Sequence, residues 1–440
     1  MKKINLILFL LLLFTACGTK NNEPVEEISK EEAIVKVEEK NENEKIKEEK
    51  LSSDGVRITE YEDGYTSMLS PVGEMVIVRK PEAYDYTSFP DYVLSELPAG
   101  TGTEFNQDLR SKDVTNIDLS YKLDYLLEAD FDDNTKWPDS LPKEFDIEKI
   151  MEYGKDPGFG VRELHKQGIN GEGVGIAIID GSLLVDHVEY KDRLKLYEEI
   201  HMHPQTNTSE MHGPAVASIA VGKNIGVAPM ADLYYIAVTH GVYNEGSFDF
   251  DLYWFGKVID RVIEINKTLP EDRKIRVISI SFGLGGSGLK NEDLAMEAVE
   301  RAKEEGIYTI TVSQSMGGLG RNPLGDPNDI NSYTKGYFWR DSPAPGFIDR
   351  TMAPMDSRCL ASPTGEDKYV FYYSGGMSWA VPYTAGLYAL CCQVNPEITS
   401  EEFERLALET ADDVQLTGEG IKRKIVNPKA LIEEVKKIKE

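Results

Sequence analysis

The rhythm of hydrophobic and polar positions changes near residue 156, and from there the chain is regularly patterned. Four largely apolar runs, at 174–179, 233–238, 276–281 and 307–312, each have the length of a strand. Such runs predict strands buried on both faces. Helical periodicity fills two of the intervals, at about 251–267 and about 291–304. Strands alternating with helices predict an α/β fold with a mainly parallel central sheet. In such sheets, sites form outside the carboxyl ends of the strands. Asp180, Gly283 and residues 313–315 fall there. A further segment, 380–394, is apolar almost all round, which predicts a helix inside the domain rather than on its surface. Pro382 suits a first turn but nothing deeper, so it helps set where that helix starts.

The N-terminal part of the chain follows other rules. Lys2 and Lys3 precede a largely apolar run, 4–14, and then Thr15-Ala16-Cys17. The run is too short for a permanent span and reads as a signal peptide, residues 1–16. Phe14-Thr15-Ala16-Cys17 resembles the lipobox of bacterial lipoproteins, with Phe in place of the usual Leu. That resemblance implies cleavage before Cys17, lipidation of Cys17, and a mature chain anchored to the cell membrane on its extracytoplasmic face. Residues 17–54 are rich in Glu, Lys and Asn and hold no aromatic side chain, so they read as a charged flexible tether. Residues 55–150 carry short ordered pieces such as Val76-Ile77-Val78 and Tyr92-Val93-Leu94 between Gly and Pro punctuation. This extension is either a propeptide-like folding domain or an elaboration of the domain at 151–440.

Composition narrows the partners. The 440 residues carry a formal net charge of -28, which repels nucleic acid and anionic lipid faces alike. Of four cysteines, Cys391 and Cys392 are adjacent within the apolar helix. They read as small buried hydrophobes rather than a disulfide framework.

The candidate chemistry is nucleophilic. Gly375-Gly376 delivers Ser378 to the start of the apolar helix. There, first-turn N–H groups lack partners and favour developing negative charge. A serine nucleophile needs a base within hydrogen-bond reach and a group that orients the base. His212 opens a helix of small residues, 215–222, and Asp180 ends the first strand. The chain order Asp, His, Ser is one of three found for such triads.

These residues also carry a family resemblance. Val174-Gly175-Ile176-Ala177-Ile178-Ile179-Asp180-Gly181 is similar to the aspartate motif of subtilisin-like serine proteases. His212-Gly213-Pro214-Ala215-Val216-Ala217-Ser218 resembles their histidine motif, and Gly376-Met377-Ser378-Trp379-Ala380-Val381-Pro382 their serine motif. The resemblance covers residues 157–435 or so and implies a three-layer subtilisin-like fold with an N-terminal extension. It implies that Ser378 is the nucleophile, His212 the general base and then acid, and Asp180 the group that holds the imidazole. Peptides or proteins would be the substrates. Ser281, Phe282 and Gly283, with Thr311, Val312 and Ser313, would form backbone edges that pair with an extended peptide. Apolar walls would suit an apolar side chain before the cut, and the acidic field would favour basic substrates.

Two departures bear on chemistry. The family places an asparagine oxyanion donor after the fourth strand, but Val312-Ser313-Gln314-Ser315 occupies that turn here. Gapless counting from Gly306 puts Ser315 at the donor position and Gln314 beside it, with the Ser378 backbone N–H as the second donor. Losing such a donor costs about 10²–10³ in rate. The family often binds calcium, yet no clustered Asp-x-Asp-x-Asp loop is present, and no metal ligands are assigned. His201-Met202-His203 reads as a solvated loop rather than a metal pair. Two other readings stay open: a protease-like scaffold that binds without cleaving, and an enzyme confined to self-processing.

Overall fold

The computed structural model describes residues 44–88, 91–98, 107–203, 207–244, 247–312, 316–337, 350–416 and 422–439. Cys17 and the signal segment therefore lie outside the described residues, as do Ser313, Gln314 and Ser315. The chain divides between Lys45 and Ile46, and every element below lies on the C-terminal side.

Three short antiparallel strands come first, β1 (Ile46–Leu51), β2 (Arg57–Tyr61) and β3 (Thr66–Leu69). Helix α1 (Leu123–Leu127), strand β4 (Phe131–Asp132) and helices α2 (Ile147–Lys155) and α3 (Val161–Lys166) lead into the regular part. There β5 (Gly175–Asp180) and β6 (Leu194–Met202) are followed by α4 (His212–Val221) and β7 (Asp232–Val238). A hairpin, β8 (Gly241–Asn244) and β9 (Ser247–Phe250), precedes α5 (Tyr253–Thr268), β10 (Ile275–Ile280), α6 (Glu292–Glu304) and β11 (Tyr308–Thr311). Strands β12 (Met316–Arg321), β13 (Tyr333–Lys335), β14 (Thr351–Pro354), β15 (Arg358–Ala361) and β16 (Tyr369–Tyr372) then lead to α7 (Met377–Val394). The chain closes with α8 (Ser400–Glu409), β17 (Asp412–Gln415), β18 (Lys422–Ile425) and α9 (Pro428–Lys439).

The central sheet runs β1-β2-β3-β6-β7-β5-β10-β11. Its five strands from β6 to β11 are mutually parallel, and the first three join antiparallel through β3 and β6. Side chains alternate across a strand, so one sheet feeds two cores. Along β5, Ile176 and Ile178 pack with α4 and α7, whereas Ala177 and Ile179 pack with α5 and α6. This is the three-layer α/β arrangement that the alternating pattern predicts.

Three local expectations change. The stretch read as a tether to residue 54 already contains β1. His201 is not in a solvated loop: it is fully buried near the end of β6, stacked between Tyr65 and Trp254 at ring distances of 4.2 and 4.2 Å. Its Nε2 is 2.8 Å from an Asp63 carboxylate oxygen. Pro382 lies in the second turn of α7 rather than the first. A proline there cannot donate to the carbonyl four residues back. That carbonyl belongs to Ser378, and the Ser281 hydroxyl donates to it instead at 2.9 Å.

The region 55–150 shares its interior with the rest. Leu109, Val114, Leu119, Leu126 and Phe131 form one core with Cys359 and Phe371 of β15 and β16. Strand β4 pairs antiparallel with β16. Asp130 accepts from Tyr373 N–H at 2.8 Å, and Asp133 from Tyr369 N–H at 2.8 Å.

Candidate active site

Two helix starts and one strand end converge. Strand β5 is buried along its length and delivers Asp180 at its carboxyl end. Helix α4 begins with His212, and it can sit close only because Gly213 lacks a side chain. A Cβ there would lie 2.6 Å from the Tyr235 hydroxyl and 2.7 Å from the Ser182 carbonyl oxygen. His212 Nδ1 consequently faces the Asp180 carboxylate, at 2.8 Å from Oδ1 and 2.9 Å from Oδ2. With Nδ1–H donating to a carboxylate, Nε2 is left as the acceptor. Asp180 also accepts from Gly181 N–H at 2.8 Å.

Ser378 is the second residue of α7, where its N–H is among the donors the helix cannot use. Gly376 caps the helix at φ 63°, a conformation that favours glycine. Among the described residues, the Ser378 hydroxyl has one partner, the Ser281 carbonyl oxygen at 3.5 Å. The Asp180–His212 contact is therefore made in this conformation, and a contact from Ser378 to His212 is not. The ring of Trp379, next to the serine, lies 5.1 Å from the imidazole.

The electrostatics favour a charged imidazole. Burial pulls His212 down, but the Asp180 charge, its hydrogen bond and the Glu210 charge outweigh this and leave it raised above the usual 6.5. Glu210 was not singled out by the sequence patterns, although it stands two residues before His212. Its carboxylate lies over Gly181: a Cβ added there would meet Oε2 at 2.5 Å. Lost hydration, then repulsion from Asp180, pushes Glu210 up to about 7, with His212 opposing. Glu210 still presents much of its surface to solvent, so repulsion by Asp180 is the cause that carries the upward direction. A second ring missed in the sequence is His240, just past β7. Burial among aromatic rings draws it down to about 4. Phe282 lies 5.0 Å from it and Phe248 5.3 Å.

The remaining candidates divide. Phe282 closes an aromatic wall with Phe250 and Phe255. Its carbonyl oxygen accepts from Val312 N–H at 3.2 Å, so at this point the two expected edges pair with each other. Gly283 has open space around its Cα, and Thr311 is buried on β11. Among the described residues, no group of three or more His, Cys, Asp or Glu side chains is placed to hold a metal ion.

Comparison with known proteins finds similarity over part of the chain. Residues 171–334 match the family model described as Peptidase_S8, the subtilase family. The match includes Asp180, His212 and Ser281 but stops before Ser378. "Subtilisin-like protease 2" of Arthroderma otae is 29% identical over 163 residues, covering 36% of this chain and 35% of that protein. The protein of the same name from Trichophyton tonsurans is 30% identical over 163 residues, covering 36% of each. The chain thus spans about a third of the length of these relatives. Among solved structures, the prenylagaramide maturation protease PagA aligns with 63% of this chain and 98% of its own, at 16% identity and a TM-score of 0.43.

Proposed function

We propose that this chain is a serine endopeptidase of the subtilisin type, acting through Asp180, His212 and Ser378. The observation that carries the reading is the two-oxygen grip of Asp180 on His212 Nδ1, at 2.8 and 2.9 Å, beside the serine-bearing start of α7. That grip aims Nε2 away from the carboxylate and stabilises the imidazolium that forms during attack. The Ser378 hydroxyl turns from Ser281 to Nε2 as the substrate carbonyl arrives. Its oxygen bonds to the carbonyl carbon while the proton passes to Nε2, and the same proton then goes to the leaving amine. Water, deprotonated by His212, hydrolyses the acyl-enzyme. The Ser378 N–H, in the first turn of α7, donates to the developing oxyanion. The partner donor is assigned to Ser315 or Gln314.

The chain is further assigned to the extracytoplasmic face of the membrane, held by lipid on Cys17. Among the described residues, no helix is long and apolar enough to cross a membrane. A lipidated N-terminus at Cys17, found by mass spectrometry of the mature chain, is the expected result. A start near residue 150 would instead support a removed propeptide.

A fluorophosphonate probe is expected to label the protein lacking residues 1–17 and to leave Ser378→Ala unlabelled. Equal labelling of both would remove Ser378 from its role. A folded parent that does not label would favour the binding scaffold, the reading to which a Ser378 hydroxyl resting on Ser281 lends some weight.

A further inference from the structure

The turn joining β14 to β15 sits between the two parts of the proposed catalytic machinery that must agree in position. One is Gly375-Gly376, which leads into Ser378. The other is β12, whose first residue, Met316, directly follows Gln314 and Ser315 in sequence, the residues proposed for the second oxyanion donor. Asp356 touches both. Its backbone N–H donates to Leu319 O of β12 at 3.1 Å, as does that of Met355 at 3.0 Å. Its carboxyl group accepts from Gly375 N–H at 3.1 Å through Oδ1 and from Tyr337 N–H at 2.7 Å through Oδ2. The next residue reinforces the same knot: Ser357 N–H donates to Tyr373 O at 2.9 Å, and its hydroxyl to Arg321 O of β12 at 2.5 Å.

Asp356 is 3% exposed and has no cationic partner among the described residues. A buried carboxyl group without a counter-charge opposes folding unless hydrogen bonds compensate it. Here burial pushes it up to about 7, with the two amides pulling the other way. An apolar side chain would fill the same space without that cost. What the carboxyl group adds is a fixed distance between β12 and the serine turn.

We propose, resting on the serine-enzyme reading above, that Asp356 is a positioning residue for the nucleophile. By gripping Gly375 N–H while its own main chain is fastened to β12, it sets where Ser378 stands relative to β12. It touches neither substrate nor reacting atoms. Its effect should therefore fall on the rate of acylation and not on the affinity for peptide.

The test uses the protein lacking residues 1–17, with Asp356→Asn and Asp356→Ala. Asparagine keeps one acceptor for Gly375 but turns an amide donor toward Tyr337 N–H, whereas alanine loses both contacts. Fluorophosphonate acylation should slow about 100-fold in D356A, the scale on which small misplacements act, and stay within about threefold of parental in D356N, which keeps the Gly375 contact. In a peptide assay the loss should appear in kcat, with KM within about twofold. Amide exchange at Gly375 should speed up in D356A and stay close to parental in D356N, which also guards against an alanine variant that fails to fold. Parental acylation by a folded variant whose Gly375 exchange has accelerated would overturn the proposal. So would unchanged exchange in D356A. A parent that does not label would instead overturn the enzyme reading, and Gly375 exchange would still report whether Asp356 holds the turn.

Discussion

At His212 the base strength is a balance that a single nearby charge can move. Glu210 and Asp180 both favour the imidazolium, and burial opposes them. In the proposed mechanism the neutral imidazole accepts the serine proton, so acylation should rise with pH through the His212 pKa, which is raised above 6.5 in the folded protein. Removing a neighbouring negative charge weakens the imidazolium and moves that limb to lower pH. Glu210→Gln should move the midpoint to lower pH, because it removes one of the charges that favour the imidazolium. The pH profile of fluorophosphonate labelling measures this, and an upward or absent shift would contradict the arrangement. The pairing of Asp180 with His212 was legible from their chain order together with the resemblance of the two stretches around them to subtilisin-like aspartate and histidine motifs. Glu210, His240 and Asp356 were not, since their importance comes from what the fold places beside them. No local pattern distinguishes Asp356 from any other turn aspartate.

Among the elements, β5, β7, β10, β11 and the helices between them could be read from apolar run length and helical spacing. Strand β6 could not, because Glu198 and Glu199 interrupt its middle. Both are nonetheless buried, and each has its own cation. Arg261 of α5 donates to Glu198 at 2.9 and 2.8 Å, with Ser70 N–H adding a third contact at 2.9 Å. Arg79 grips Glu199 at 2.7 and 2.8 Å, and the Tyr197 hydroxyl donates to it at 2.7 Å. Strand identity here depends on partners distant in sequence, which hydrophobic patterning does not register. Deleting one partner leaves a buried charge uncompensated, at a cost of about 3–5 kcal/mol. Arg261→Ala should lower unfolding stability by that amount in urea titration. A loss under about 1 kcal/mol would mean that Ser70 and its surroundings suffice for Glu198.

For the molecule as a whole, the segment 46–150 is part of the domain rather than an appendage. It supplies three strands of the central sheet, the cation for Glu199 and most of the core behind β16. The sequence left this open, since its strands are short and its apolar residues are completed by distant ones, Cys359 and Phe371 among them. A chain beginning at residue 151 should therefore fail to reach a cooperative fold. Far-ultraviolet circular dichroism and a thermal scan would show this, and a sharp native-like transition would count against it.

Pairing of β4 with β16 also sets an order of events during synthesis. Phe131 must wait for Phe371, 240 positions later in the chain (371 minus 131), before its strand has a neighbour. Contacts so distant are slow to form, and a growing chain exposes its early hydrophobic segments until the late ones emerge. The same late segment carries Gly375, Gly376 and Ser378. Strand β4 and the turn that carries Ser378 are thus completed together, so, on the serine-enzyme reading proposed above, an unfinished chain has no working serine with which to cut itself or its neighbours.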